Sequence, residues 1–486
     1  MLAAGGFAPS TEAQRAHMEA KEALAAACGD DFEEKCQDVD WGRVEQFVAC
    51  VLQSGFGTDR EFEAAVRQAG RRLKTTPPPK VQMVRAYARL RARGSAPRSP
   101  LFERLSLKDK VQNSSGVVVI SVTTAPGPFS CPHDCHYCAN EPGQPRAYLS
   151  TTLSIARANR HGFDPVLQFH DGAHRHARKG HEVDKVEVIV LGGTWSGYPR
   201  AYQEEFCRDV FYAANTFDQA RAQAGLPLGE CGSGRARLSL EEEQELNEVA
   251  SVRVIGLTLE TRPDHVSVHE LRRLRRYGCT RVQIGVQHTD DSILQRINRG
   301  HKLADTAKAV RLLKTHCFKV DFHIMPDLPG SDPETDRRMF DVLLNSPDLQ
   351  ADQWKIYPCD VVPFSKIEEW YNKGEYVPYA ERDPQLLVDL LVDVKPRVHP
   401  WIRLNRVVND IPSESIIAGN RSQDLRQRVF EQLAAQGRAC RCIRCREVRG
   451  WTEAAERLAI RVRQYRSSGG DEFFVSVEGG ERGAGG

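Results

Sequence analysis

The sequence predicts an α/β fold: a partial (β/α)6 barrel at residues 111–400, with an N-terminal helical basic region and a short Cys-rich C-terminal region. Two observations carry this. Six short apolar, β-branched runs recur, separated by helical or mixed segments: VVVISV (117–122), KVEVIVLG (185–192), VRVIGLTLE (252–260), TRVQIGVQ (280–287), KVDFHIMP (319–326) and DQWKIYP (352–358). Alternating strands and helices imply parallel βαβ units. An open doubly wound sheet permits the same alternation. The second observation favours the barrel. Each run leads at once into a polar or Gly-rich stretch: a Cys cluster, GGT (192–194), ETRPD (260–264), GVQ (285–287), MPDLPG (325–330) and IYP (356–358). Parallel barrels collect their chemistry at the C-terminal strand ends, so six distinctive ends are expected to converge on one mouth.

Length and composition set the frame. At roughly 150 residues per domain, 486 residues allow about three domains. Hydrophobic residues at 41% and charged residues at 27% exclude large-scale disorder. No apolar run approaches the roughly 18 residues that a membrane helix needs. The N-terminus lacks the basic start and apolar core of a secretory signal. Its Glu12, Glu19 and Glu22 argue against an organelle transit peptide. The expected location is cytoplasmic, with no membrane partner. Of fourteen cysteines, six form two tight groups, Cys131, Cys135, Cys138 and Cys440, Cys442, Cys445. Tight thiol groups in a reducing compartment read as metal sites.

Residues 1–110 carry apolar positions at helical spacing in VEQFVACVLQ (44–53) and EFEAAVRQAGRRLK (61–74), broken by a Pro run at 77–79. From Arg67 to Arg98 there are ten basic residues and no acidic one, among them Arg85, Arg89, Arg91 and Arg93. A solvated helical face is the ordinary reading of a charge run. Such a local excess in a chain of net charge +2 points instead to a polyanion surface, most plausibly nucleic acid.

The first Cys group, SCPHDCHYCANEPGQPRAYLS, has the spacing C-x3-C-x2-C and follows the first strand. Three thiolates hold three irons of a cubane and leave the fourth iron open to a small molecule, whereas an electron-transfer cluster normally has four Cys ligands. Zinc is the rival, with His133 or His136 completing a four-coordinate site.

Position favours iron. C-x3-C-x2-C after the first strand, with Gly192, Gly193 and Thr194 after the second, resembles the radical S-adenosylmethionine (SAM) superfamily. That resemblance implies a [4Fe–4S] cluster on Cys131, Cys135 and Cys138. SAM would be chelated at the open iron, and its methionyl amine would meet the backbone of the GGT stretch. Glycine suits that place because backbone can approach a ligand closely.

A longer series narrows the match: DKVEVIVLGGTW (184–195), GLTLETRPD (256–264), YGCTRVQIGVQ (277–287), INRGH (297–301), MPDLPG (325–330), KIYP (355–358), RVVNDIP (406–412) and CRCIRCREV (440–448). In this order, from about residue 70 to 480, the chain resembles the catalytic subunit of the Elongator complex. The resemblance implies modification of the tRNA wobble uridine by a radical-SAM domain joined to an acetyltransferase domain. The deoxyadenosyl radical takes hydrogen from the methyl of acetyl-CoA, the carbon radical adds to C5 of uridine, and thioester hydrolysis leaves 5-carboxymethyluridine. Lys185 matches a family lysine that contacts acetyl-CoA; a surface lysine at a strand start is the alternative.

Other positions are read from their place in the pattern. Glu260, Arg262 and Asp264, at a strand end, hold SAM or substrate, or form a buried Arg–carboxylate network that shapes the loop. Gln287 and His288, and Asn298 to His301, stand similarly. His323, between apolar neighbours, reads as a satisfied core histidine. Lys355 and Tyr357 alternate and are expected to point inward, toward substrate.

Residues 401–470 contain CRCIRC, whose three thiolates plus a distant ligand would make a structural zinc site; free buried cysteines are the alternative. TEAAERLAIRVRQYR (452–466) reads as helical, DEFFVSVE (471–478) as the first strand of an acetyltransferase domain with an exposed edge, and GGERGAGG (479–486) as a disordered tail. Only eight residues follow that strand, too few for a CoA-binding domain. The expectation is a radical-SAM core whose acetyltransferase is absent or supplied by another protein. A radical-SAM enzyme with another substrate, and a non-catalytic tRNA-binding subunit, are the alternative functions.

Overall fold

All six apolar runs become strands of one parallel sheet: β1 (Val118–Thr123), β2 (Lys185–Leu191), β3 (Arg253–Thr261), β4 (Arg281–Gln287), β5 (Lys319–Ile324) and β6 (Gln353–Ile356). They were located in a computed structural model that describes residues 11–27, 39–106, 115–127, 131–222, 235–408, 410–448 and 458–479. The strands stand side by side in chain order, joined by helices, so the sheet curves as a partial barrel. A seventh strand, β7 (Arg403–Arg406), extends the row beyond the expected six. RLNR has one apolar residue and no alternation, which is why it reads as linker; its pairing with β6 makes it a strand.

The two faces of the sheet differ in chemistry. Val282, Ile284 and Val286 of β4, Val320, Phe322 and Ile324 of β5, and Trp354 and Ile356 of β6 are buried in the main core, with helices such as Leu303–Thr315 and Pro384–Val394. Positions between them, with period two, bring Arg281, Gln283, Asp321, His323 and Lys355 to the inner face. The helices are closed by ordinary local signals. Asp164 caps Pro165–Arg178 by accepting from the amides of Val166 and Leu167, and Ser239 with Glu242 forms a capping box on Leu240–Asn247.

The N-terminal helices Trp41–Gln53, Asp59–Arg72, Lys80–Ala92 and Pro100–Ser106 build their own small core around Phe47, Phe62, Met83, Tyr87 and Phe102. Here the basic run acquires the carboxylates that its sequence lacks. Arg89 and Arg93 share Glu45 (2.6 and 3.1 Å), Arg91 reaches Glu103 (3.4 Å) and Lys80 reaches Glu63 (3.7 Å). Arg85 stacks over Trp41, 4.9 Å from the ring centre. Arg67, Arg71, Arg72 and Lys74 remain exposed. The earlier helix Glu12–Ala27 lies across the barrel, where His17 Nε2 is 2.9 Å from Glu141 and the Thr11 hydroxyl donates to Glu368 (2.9 Å).

Residues 458–466, expected to be helical, are part of strand β8 (Leu458–Ser467), paired antiparallel with β9 (Gly470–Gly479); positions 452–457 lie outside the described residues. The physical reason is the alternation Ile460-Arg461-Val462-Arg463-Gln464-Tyr465 followed by a Ser468-Gly469 turn with both φ positive (49° and 86°), the hairpin geometry that matches strand twist. The expected stub strand therefore has a partner. The hairpin docks by its polar face: Tyr465 stacks on Trp401 (4.2 Å, 3°), Trp401 on His399 (4.4 Å, 9°), and Lys314 meets Glu472 at 3.2 Å. Most of the expected tail, 480–486, also lies outside the described residues.

Two strands alone are marginal in water, so this docking should set the hairpin's stability. Trp401→Ala is expected to speed amide exchange in β8 and β9 by at least about tenfold, with β4 and β5 unchanged, because local opening costs less than global unfolding. Exchange measured by mass spectrometry checks this; unaltered β8 and β9 would refute it.

Candidate active site

The loop after β1 brings Cys131, Cys135 and Cys138 to the C-terminal end of the sheet. Cys135 is buried, the other two half-buried. Neighbouring segments clamp this loop. Asn298 Nδ2 donates to the Asp134 carbonyl (2.8 Å), the His136 amide donates to Ile297 (3.0 Å), and His133 and His265 meet through their Nε2 atoms at 2.8 Å. Two guanidiniums face the Cys135 sulfur: Arg299 Nη1 at 3.5 Å and Arg262 Nη1 at 3.7 Å. Arg262 also holds Asp264 with two 3.0 Å bonds and donates to the Arg299 carbonyl. Arg299 donates to the Gly285 carbonyl (2.7 Å), while its buried Nε has no hydrogen-bond partner among the described residues. The Cys138 thiol, and then the two arginines, bring the Cys135 thiol down to about 4 against the opposing effect of burial.

This surrounding fits an anionic iron–sulfur cluster. Arg262 is matched by Asp264, but Arg299 is a buried cation with no carboxylate partner among the described residues, and such a charge favours added negative charge beside it. Among the described residues the sulfurs of Cys440, Cys442 and Cys445 all lie within 4.8 Å of one another, and those of the first group do not. A single zinc ion needs the tight arrangement, while a cubane spreads its ligands more widely.

Beside the thiols runs the backbone of Gly192 and Gly193. The Thr194 hydroxyl is 3.3 Å from the Cys131 sulfur. Gly192 has φ +151°, and a Cβ there would stand 1.9 Å from the Thr124 hydroxyl and 3.1 Å from that of Tyr198. Gly193 N–H donates to the Tyr198 hydroxyl (3.3 Å), itself 2.7 Å from the Thr124 hydroxyl. The result is a bare backbone shelf next to three thiols, which suits an amino-acid ligand that must approach main chain closely. Tyr148 adds a phenol beside the Gly192 amide; burial pushes its pKa well up, and the charges of Glu260 and Tyr357 act in the same direction.

Farther across the inner face lies a polar layer. Lys355 Nζ donates to Gln283 Oε1 (2.8 Å), and His323 Nε2 is 3.1 Å from the same oxygen. Gln283 Nε2 donates to Asp321 (3.5 Å), which also accepts from Arg281 (3.1 Å). His323 Nδ1 is 3.3 Å from Glu260 Oε1, and Tyr357 stands edge-on to the His323 ring at 5.4 Å. Burial lowers the Lys355 pKa, partly offset by Glu260 and Asp321.

Thus Glu260, Lys355 and Tyr357 come together, as do Arg262 and the cluster loop. Gln287 joins them with a left-handed backbone (φ 65°) and with its buried Oε1 unpaired among the described residues; its Nε2 and the Arg299 guanidinium crowd the same side of Gly285. Lys185 does not join. It begins β2, at the opposite end of the strand from Gly192, and pairs with Asp184 at 2.7 Å. His288 is tied to buried Asp336 (3.2 Å), under the MPDLPG loop. His323 is satisfied, as expected, though by Gln283 and Glu260 on the polar face rather than by an apolar core. Sequence reasoning missed Gln283, Asp321, Tyr148 and Tyr198. Reading β4 and β5 at period two would have found the first pair. Nothing local marks the tyrosines.

The second thiol group packs against β7. The Ile443 amide donates to Ile402 (3.0 Å), the Arg444 guanidinium to Asn405 (2.6 Å), and that of Arg426, beside the three sulfurs, to Leu404 (2.9 Å). Hydrogen bonds from Cys440 and Cys445 hold the Cys442 thiol far below its ordinary value.

The parallel half-barrel, the three-thiol loop and the adjoining glycine shelf together define a radical SAM protein, and the Radical SAM superfamily matches residues 128–343, followed by the Radical_SAM C-terminal domain at 351–435. That superfamily implies a [4Fe–4S] cluster and SAM. The chain is 34% identical over 383 residues to the tRNA uridine(34) acetyltransferase of Methanocaldococcus jannaschii, covering 76% of this chain and 66% of that one. It is 36% identical to the protein of that name from Dehalococcoides mccartyi (76% of each chain) and 31% identical to Elongator complex protein 3 of Schizosaccharomyces pombe (78% and 68%). The solved archaeal Methanocaldococcus infernus Elp3 with an N-terminus deletion matches with TM-score 0.62 at 32% identity over 75% of each chain. Within the superfamily, the chain belongs to the family of tRNA uridine(34) acetyltransferases and Elongator complex protein 3. No helix among the described residues is long and apolar enough to cross a membrane.

Proposed function

We propose that this chain modifies the wobble uridine of tRNA, adding an acetyl-CoA-derived carboxymethyl group at C5 by radical-SAM chemistry. The observation that carries the reading is the convergence of Cys131, Cys135 and Cys138, two buried arginines and the Gly192–Gly193 shelf on one mouth. The names of the relatives supply the substrate class. Cys131, Cys135 and Cys138 would hold the cluster, and the Gly192–Thr194 backbone the SAM methionyl group. When bound, these groups supply the one-electron cleavage that generates a carbon radical. The chain's own residues do the rest. Arg262 and Arg299 balance charge at the thiols, the tyrosines Tyr148, Tyr198 and Tyr357 wall the mouth from water, and Glu260, Gln287 and Lys355 orient the base.

The chain spans 66% of the first relative's length, and Lys185 sits away from the mouth. Acetyl-CoA is assigned to a site other than Lys185, and a separate acetyltransferase or Elongator-type subunits are the proposed partners. Cys440, Cys442 and Cys445 are assigned structural zinc, because three sulfurs within 4.8 Å beside the Arg426 cation suit thiolates on one small ion. A cytoplasmic setting suits both thiol groups.

The test is anaerobic. After iron and sulfide reconstitution, dithionite, SAM, acetyl-CoA and tRNA are added, and 5′-deoxyadenosine and 5-carboxymethyluridine are assayed by mass spectrometry. Both products are expected. Deoxyadenosine without modified uridine would assign another substrate, and neither product would leave a binding role. Arg85, Arg89, Arg91 and Arg93 are assigned to the tRNA backbone. Because Glu45 and Glu103 already share three of them, the four changed to Gln should weaken binding across tRNA species by about tenfold and flatten its salt dependence. An unchanged salt slope would reject that assignment.

A further inference from the structure

The polar layer of the inner face leaves one acceptor open. An ammonium only donates, so Gln283 must turn its carbonyl oxygen to Lys355 (2.8 Å) and its amide nitrogen to Asp321 (3.5 Å). His323 Nε2, 3.1 Å from that same oxygen, therefore carries a hydrogen. The other ring nitrogen, Nδ1, is 3.3 Å from Glu260 Oε1, and two bare acceptors would repel, so this contact holds a hydrogen as well. Glu260 is thus tethered through one oxygen. Its second oxygen accepts no hydrogen bond among the described residues, and the side chain keeps 25% of its surface open at the mouth.

We propose that Glu260, tethered by His323, accepts the N3–H of the target uracil and so selects uridine against cytidine. The proposal rests on the wobble-uridine reading above and names the group that makes the choice. A carboxylate accepts and never donates. Uracil presents N3–H between two carbonyls, where cytosine presents a bare ring nitrogen, so the same carboxylate pairs with one base and repels the other. Enzymes that take a base out of its stack commonly read this edge, and a site built to meet a donor rejects the analogue lacking it. Other charged and titratable groups facing the pair are Asp321 on β5, Lys355 on β6, Arg281, Arg299 and Arg406, and the phenols of Tyr148, Tyr198 and Tyr357. Burial, the largest influence on Glu260, raises its pKa, but His323, Lys355 and Arg299 more than offset it and keep the carboxyl below its ordinary value. His323 is a positioning residue here, acting through Glu260.

The rival donor for Glu260 is the ammonium group of SAM, and the experiment separates the two. Anticodon stem–loop RNAs with U or C at the wobble position are titrated into the reconstituted protein by fluorescence anisotropy, and SAM binding is measured by equilibrium dialysis, for the wild type, Glu260→Gln and His323→Gln. The wild type is expected to prefer U by about tenfold or more, the discrimination of a good base contact. Glu260→Gln, which can present an N–H to cytosine, should bring the two RNAs within about threefold. His323→Gln should lose part of the preference, with cluster absorbance and SAM affinity retained in both variants. Equal wild-type binding of the U and C RNAs would overturn the proposal. So would a Glu260→Gln variant that loses SAM affinity while keeping the U preference. A wild type that binds neither RNA would remove the wobble-uridine reading itself.

Discussion

Gly192→Ala is expected to raise the SAM dissociation constant by at least about 100-fold, equivalent to about 2.7 kcal/mol. The new methyl would stand 1.9 Å from the Thr124 hydroxyl, far inside contact distance. Thr124 cannot easily give way. Its amide and hydroxyl both donate to the Leu191 carbonyl (2.9 and 3.2 Å), and its oxygen is 2.7 Å from the Tyr198 hydroxyl. Tyr198 in turn accepts from Gly193 N–H at 3.3 Å. Relieving the clash therefore moves the shelf itself. Because φ at Gly192 is +151°, alanine also carries backbone strain there. Removing the hydroxyl as well, in the Gly192→Ala, Thr124→Ala double variant, should recover part of the affinity but not all, since the strain remains. Equilibrium dialysis with reconstituted protein reads both variants, and a melting curve confirms that each is folded. Wild-type affinity in the single variant would mean that SAM does not approach this backbone.

The rest of the site divides according to how far apart its partners lie in sequence. The thiol loop and the glycine shelf are legible because each is a short segment whose spacing carries its chemistry. The strands are legible because their outer faces, such as Val282, Ile284 and Val286, repeat with period two beneath helices. Arg299 is not legible as a thiolate partner. It joins Cys135 across a sequence separation of 164 residues, and nothing in INRGH shows which way the guanidinium turns. The ion pairs of the basic run are illegible for the same reason: Glu45 and Glu103, which pair with Arg89, Arg91 and Arg93, lie outside the stretch from Arg67 to Arg98. β8 misleads because a helical period and a strand period both fit a short mixture of Arg and apolar residues. The Ser468-Gly469 turn and its cross-strand pairs decide the matter only once β9 is brought opposite.

Arg299 is also where the second large effect is expected. Its guanidinium is buried, donates to the Cys135 sulfur at 3.5 Å and to the Gly285 carbonyl at 2.7 Å, and has no carboxylate hydrogen-bond partner among the described residues. A positive charge so placed stabilises the more negative, reduced form of a cluster held by that sulfur. Replacing Arg299 by Met should therefore shift the cluster potential to more negative values by at least about 60 mV, a tenfold change for a one-electron couple. Arg299→Lys should restore part of the shift, since it keeps the charge but not the two directed bonds. Gly285→Ala offers an independent route to the same result: its Cβ would fall 2.3 Å from Arg299 Nη2 and push the guanidinium off the sulfur. Potentiometric titration followed by electron paramagnetic resonance, without substrate, measures all three variants. If Gly285→Ala and Arg299→Met move the potential together and Arg299→Lys lies between them and the wild type, the charge sets the potential. If Arg299→Met leaves the potential unchanged, Arg299 serves only to hold the loop.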